Sequence, residues 1–238
     1  NGLVSGASMG ATVVAQGFLT VAVGAALMST LAVVRHTRQN EETGRAEMVG
    51  AGIVGRNAIL TAALLVAVAA NVVLALVSTA VLIANDLPAG SSVAAGAEIA
   101  AVGITFAAVA AVTAQVAETS RGANGLAAAA VGVAFLLRAI GAVSGKVVDG
   151  GLTVISAWPT WLSPIGWGEE VRPFDENNWW VFGLFALAFV GLVGTAFALT
   201  AHRDLGAGMR AVRPGPATEN STRTPASSAR SSCRATKE

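Results

Sequence analysis

Long apolar runs separated by short polar stretches set the pattern of this chain. Five runs stand out: Ala11 to Val34, Ala58 to Ala84, Val93 to Val116, Gly122 to Val143 and Trp179 to Ala201. A helix rises about 1.5 Å per residue, so about 20 apolar residues suffice to cross a hydrocarbon core about 30 Å thick. Each run therefore predicts one spanning helix. The first, second and fifth contain no ionisable residue; the third and fourth carry one each, Glu98 and Arg138, near an end. Small residues crowd the runs, and Gly24, Gly103, Gly132 and Gly191 are the expected points of close helix approach. The expected fold class is all-α integral membrane: a bundle of five transmembrane helices within residues 1–213, with a charged connection at 35–57 and a longer loop at 144–178.

Composition agrees with that pattern. Hydrophobic residues make up 54% of the chain and charged residues 12%, with a mean hydropathy of +0.65. A soluble fold would have to bury five such runs under too little polar chain. From Pro214 to Glu238 the composition turns to Pro, Ser, Thr, Arg and Ala without apolar periodicity, which predicts a disordered tail. The single cysteine, Cys233, lies in that tail, so no intrachain disulfide can form. The first run has no basic residues before it and is too long for a signal peptide. The chain opens on Asn1, and the expectation is a fragment or processed product.

Net charge is only +1, which carries no sign of a nucleic-acid partner, but its distribution is informative. Arg35, Arg38, Arg45 and Arg56 follow the first run, Arg121 follows the third, and Arg203, Arg210 and Arg213 follow the fifth. The opposite side carries only Lys146 and Arg172. An excess of Lys and Arg marks cytoplasmic loops, so the amino terminus is expected outside and the carboxy terminus inside. The Asn220-Ser221-Thr222 glycosylation triplet would then be unused. The five tryptophans, Trp158, Trp161, Trp167, Trp179 and Trp180, all fall in or beside the outer loop. Indoles favour the headgroup level. Residues 155–174, interrupted by Pro159, Pro164 and Pro173, are expected to form a short interfacial or re-entrant element there.

Two motifs mislead. Gly50-Ala51-Gly52-Ile53-Val54-Gly55 matches G-x-G-x-x-G, yet a dinucleotide site needs a preceding strand and an acidic residue about 20 positions on. Here charged residues precede it and the next acidic residue is Asp86. Gly141 to Val147 resembles a phosphate-binding loop, but has three residues between its glycines and Val147 where the metal-binding hydroxyl belongs. His36 and His202, the only histidines, lack metal-ligand spacing, and no catalytic constellation is present. The chain is expected to bind no cofactor of its own. Glu98 and Arg138 remain as a candidate intramembrane pair. Three arrangements fit them: a substrate path, a structural ion pair, or two charges that separately reach the surface.

The connection after the first run interleaves four Arg with Glu41, Glu42 and Glu47, which suits a docking surface or an ordinary solvated loop better than a polybasic lipid patch. Its residues also carry a resemblance. Arg35-His36-Thr37-Arg38, Glu41-Glu42-Thr43-Gly44-Arg45-Ala46-Glu47 and Val54-Gly55-Arg56 resemble the first cytoplasmic loop of type-two ATP-binding-cassette (ABC) exporter permeases, most of all the actinobacterial polyketide-antibiotic exporters related to tetronasin-resistance permeases. Further similar segments follow in order: Glu118 to Leu126, Trp161 to Trp167 with Val171 to Phe174, and Arg203 to Gly208. The likeness covers about residues 1 to 216.

What this resemblance implies is an ATP-driven exporter's transmembrane permease subunit, multi-pass in a bacterial plasma membrane, moving hydrophobic or amphipathic compounds such as antibiotics. The loop bearing Arg38, Glu41, Glu42, Gly44, Arg45 and Glu47 would be a coupling helix docked on a separate ABC ATPase subunit, where ATP and Mg²⁺ would be held. A second permease half or a homodimer partner would complete the path. The family's half has six spans, so this chain is expected to be a partial amino-terminal half lacking its first span. A membrane anchor or assembly subunit without transport of its own is the alternative.

Overall fold

The structure is a computed structural model that describes residues 9–42, 57–148 and 153–201. Five long helices form the bundle: α1 (Met9–Val34), α2 (Ala58–Ala84), α3 (Ala89–Val116), α4 (Ser120–Val143) and, after a longer connection, α6 (Val181–Ala201). All five are long and apolar enough to cross a membrane, and together they make an all-α membrane bundle. The connection between α4 and α6 contributes a short ribbon, β1 (Lys146–Val148) paired antiparallel with β2 (Thr153–Ile155), then a 3₁₀ turn (Trp158–Leu162) and a short helix, α5 (Pro164–Glu170). That ribbon is a small addition to the expected architecture.

Local chemistry sets the helix ends. The α2–α3 turn uses Asp86 in the left-handed region, and Pro88 stands where α3 begins, with φ already suited to a first helical turn. Helix α3 consequently starts at Ala89 rather than Val93. Only residues 117–119 separate α3 from α4, and Thr119 caps α4 by accepting a hydrogen bond from the Gly122 N–H at 3.1 Å. Helix α1 does not stop at Val34: a π turn (Arg35–Gln39) and a final turn (Asn40–Glu42) carry it on beyond its apolar stretch.

Helix α3 is the axis of the bundle. It packs on α1, α2, α4 and α6 and buries Ala94, Val102, Phe106, Ala107, Ala110 and Ala114 completely or nearly so. Close approach to α2 rests on two glycines seven residues apart. A methyl group on Gly96 would fall 2.5 Å from the Ala75 carbonyl oxygen, and one on Gly103 would fall 1.8 Å from Asn71 Oδ1. Of the four glycines expected to bring helices together, Gly103 does so, whereas Gly24, Gly132 and Gly191 have open space around them. Asn71 is buried in α2 and donates to Ser29 Oγ of α1 at 2.7 Å, a polar tie between helices.

Outward faces are apolar. Leu65, Val73, Leu76, Leu136, Leu187 and Val190 all stand more than half exposed. In water that surface would be a liability; against lipid tails it is the matching solvent. The apolar cores run the length of the bundle in two clusters, one around Phe18, Phe106, Ile165 and Phe185 and the other around Val33, Leu60 and Ala110.

Candidate functional site

Each end of α3 carries an ionic cluster. At its carboxy-terminal end the extension of α1 crosses the α3–α4 turn. Arg38 is 2% exposed; its Nε donates to the Ala114 carbonyl at 2.9 Å, one terminal nitrogen donates to the Ala117 carbonyl, and the other meets Glu41 at 2.7 Å. The last carbonyls of a helix lack intrahelical partners and carry the negative end of its dipole, so a guanidinium there is doubly matched. One turn further, Glu42 accepts from the Ser120 N–H at 2.6 Å and from the Ser120 hydroxyl at 2.5 Å. Ser120 opens α4, so a carboxylate sits at that helix's positive end. The Ser120 hydroxyl and N–H hold the Glu42 carboxyl below the usual carboxylate range.

This arrangement corrects one expectation. Arg38 is spent inside the protein on α3, so it is not a surface contact for a docking partner. The π turn helps to explain why, since its extra residue per turn shifts the register of everything beyond it. Glu41 is half-buried, while Arg35 and Arg121 are exposed beside an open cleft of about 400 Å³ floored by Leu31 and Val34. The other residues expected in the docking loop, Gly44, Arg45 and Glu47, lie outside the described residues, as do the Gly50–Gly55 motif and the tail.

At the amino-terminal end of α3 the connection between α4 and α6 folds into the bundle. Pro164 starts α5 and Ser163 caps it, accepting from the Gly166 N–H at 3.3 Å while donating to the Ala134 carbonyl of α4 at 2.7 Å. Three glycines let the backbone in. Added methyls on Gly141 and Gly166 would strike Thr160, and one on Gly168 would fall 2.4 Å from the Phe18 ring. Thr160, Ser163, Ile165 and Val171 are fully buried. The element is thus packed into the bundle rather than laid on its surface. Arg172, Phe174 and Asn177 adopt left-handed backbone in the return to α6, and Asn178 steadies it with a 3.1 Å bond to the Glu170 carbonyl.

Six aromatic side chains gather at this end. Trp161 stacks on Trp180 with centroids 5.5 Å apart, Trp167 donates from Nε1 to the Trp161 carbonyl and meets Phe185 edge-on, and Trp158 and Trp179 stand exposed.

The expected Glu98–Arg138 pair is not what forms. Arg138 binds Glu169 of α5 instead, with Nε 2.9 Å from both carboxylate oxygens and a terminal nitrogen on Oε1. Its planar fork suits such two-oxygen contact. Nor does either group reach the surface: Arg138 is 6% exposed and Glu98 is 1% exposed. Because α3 begins at Ala89, Glu98 lies a third turn into the helix rather than at its mouth. Both of its carboxylate oxygens lack a hydrogen-bond partner among the described residues, and the nearby Glu169 carboxylate acts on it through space. Sequence reasoning missed Glu169 altogether. The available signal was its place after Trp167 and Gly168, in a stretch whose prolines and small residues permit entry among helices.

No family model matches the chain. Among curated proteins it is similar to a multidrug efflux system permease protein of Mycobacterium tuberculosis, with 43% identity over 188 residues, which is 79% of this chain and 32% of that relative. The chain thus spans about a third of the relative's length.

Proposed function

We propose that this chain forms part of the transmembrane permease of an ATP-driven ABC exporter of hydrophobic or amphipathic compounds, antibiotics among them. The observation that carries the reading is the 43% identity to a permease named for multidrug efflux, joined to a bundle of five helices with the length and apolarity to span a bilayer. In this reading the chain is a transport subunit rather than an enzyme. It binds no cofactor itself, and ATP with Mg²⁺ belongs to a separate ABC ATPase. A second permease half or another copy completes the path.

The Arg38 end of the bundle faces the cytoplasm in this reading, supported by the excess of arginine there. The loop from Glu41 through Gly44, Arg45 and Glu47 then seats on the ATPase, with Arg35 and Arg121 flanking it. Arg38 and Glu42 serve by tying that loop to the ends of α3 and α4, so closure of two ATPases moves helices rather than bending a tether. The tryptophans hold the outer end at the headgroup level. Assignment to the polyketide-antibiotic subgroup, and to an amino-terminal half of a longer permease, rests on the ordered segments described from the sequence.

The test is efflux. Cells lacking the full-length protein should accumulate several-fold more of a neutral hydrophobic dye than cells that carry it, and Glu47→Lys should abolish copurification of the ATPase while leaving membrane insertion intact. Unchanged dye accumulation would overturn the transport reading in favour of an anchor or assembly subunit.

A further inference from the structure

The charges buried at the tryptophan end do not balance. Glu169, its side chain 3% exposed, neutralises Arg138, and beyond them Glu170 pairs with Arg172 at 3.3 Å. That leaves Glu98, 1% exposed, with neither oxygen hydrogen-bonded and a second carboxylate close by. A buried carboxylate without a partner is among the least tolerated groups in a protein interior, and inside a bilayer an ionisable side chain marks a functional position. Nothing in the packing requires an acid there. A glutamine, methionine or leucine would fill the same volume without the charge.

The position also faces α5. Val102 follows Glu98 by one helical turn on the same face of α3, and Val102 with Phe18 lies against Gly168 of α5. Glu98 therefore points toward that short helix at the level of Glu169, where α5 covers it. The surrounding cluster is apolar and aromatic, with Phe18, Ile99, Phe106 and Phe185 in the core and Trp167 against it. A bare metal ion would need several oxygen ligands, and a single carboxylate set among rings cannot supply them. A large, weakly hydrated organic cation needs one counter-charge and aromatic walls.

We propose that Glu98 is the recognition site for the positively charged group of an amphipathic organic cation that reaches it when α5 lifts. The cation supplies the charge the site lacks, and its apolar body replaces α5 against Phe18 and Phe106. The inference rests on the transport reading insofar as the cation is cargo.

Equilibrium binding of tetraphenylphosphonium to the purified full-length protein tests it. Saturable binding is expected, weakened about tenfold or more by the near-isosteric Glu98→Gln and kept within about threefold by Glu98→Asp, which preserves the charge. Glu176→Gln, at an exposed carboxylate between α5 and α6, should leave the affinity unchanged. Glu98→Gln should be at least as heat-stable as the parent in detergent, because it removes a buried carboxyl that has no hydrogen-bond partner; a carboxyl with a merely structural role would lower that stability when replaced. Absence of saturable binding, or equal affinity in parent and Glu98→Gln, overturns the proposal. The neutral-dye efflux assay separates the two readings: if dye efflux persists while the cation fails to bind, the site is wrong and the transport reading stands.

Discussion

The two ends of α3 use the same ingredients, one buried arginine and two glutamates, to opposite effect. At the carboxy-terminal end these three each have a structural purpose: Arg38 closes α3, Glu41 pairs with it, and Glu42 opens α4. At the amino-terminal end Arg138 is consumed by Glu169, and Glu98 is left over. The difference teaches what a buried charge is for. Helix termini present fixed partial charges that a side chain can match, so the Arg38 end is complete without any ligand. The Glu98 end lies within a helix, whose backbone groups are already bonded to one another, so only another side chain or a visitor can match it.

Removing partners should expose that contrast. The largest effect is expected from Arg138→Met, which leaves Glu169 buried and unpaired beside Glu98; loss of an ion-pair partner in such a site costs about 3–5 kcal/mol. Thermal unfolding in detergent should show it, and the double change Arg138→Met with Glu169→Met should recover most of the loss. Arg38→Met comes next. It strands the Ala114 and Ala117 carbonyls and costs about 2–3 kcal/mol by the usual worth of hydrogen bonds to a charged group. No single second change should rescue it, because the stranded Ala114 and Ala117 carbonyls are backbone. A rescue would show that the two ends are built alike after all.

Glu42→Gln is the smallest, since Glu42 is solvent-exposed: under about 1 kcal/mol, as for a helix cap. Its pH dependence sharpens the point. Ser120 lowers the folded-state value of this carboxyl, so its contribution is complete at neutral pH and is lost as pH falls through that lowered value. Parent and Glu42→Gln should therefore converge in stability in acid and diverge above it, in the same melting measurement.

Much of the fold was legible because apolar runs of spanning length have few other outcomes. Boundaries were less so. Gly90, Ser91 and Ser92 looked like loop by composition, yet Pro88 and the packing of Gly96 on Ala75 recruit them into α3. The site was the least legible part. Arg38 and its acceptors are 76 and 79 residues apart, and Arg138 finds its partner 31 residues on, inside a stretch that reads as a surface loop. Periodicity reports which face of a helix is buried; it does not report which other helix end arrives there. Spacing suggested Glu98 with Arg138 because both are lone charges in apolar runs, and Glu169 of α5 displaced that match by offering better geometry.

The π turn at Arg35–Gln39 has a bearing on how this region tolerates insertion and deletion. An α-helix advances about 100° per residue, and a π turn accommodates one extra residue within a continuing helix. Rewinding the five residues as a regular α turn at unchanged length would swing Glu42 by about that angle, away from Ser120 at the start of α4, whereas a deletion of one residue within the turn lets the helix revert while Glu42 keeps its place. The cap on α4 thus depends on where one extra residue is absorbed, and the winding of this segment is as much a determinant of the structure as its lettering.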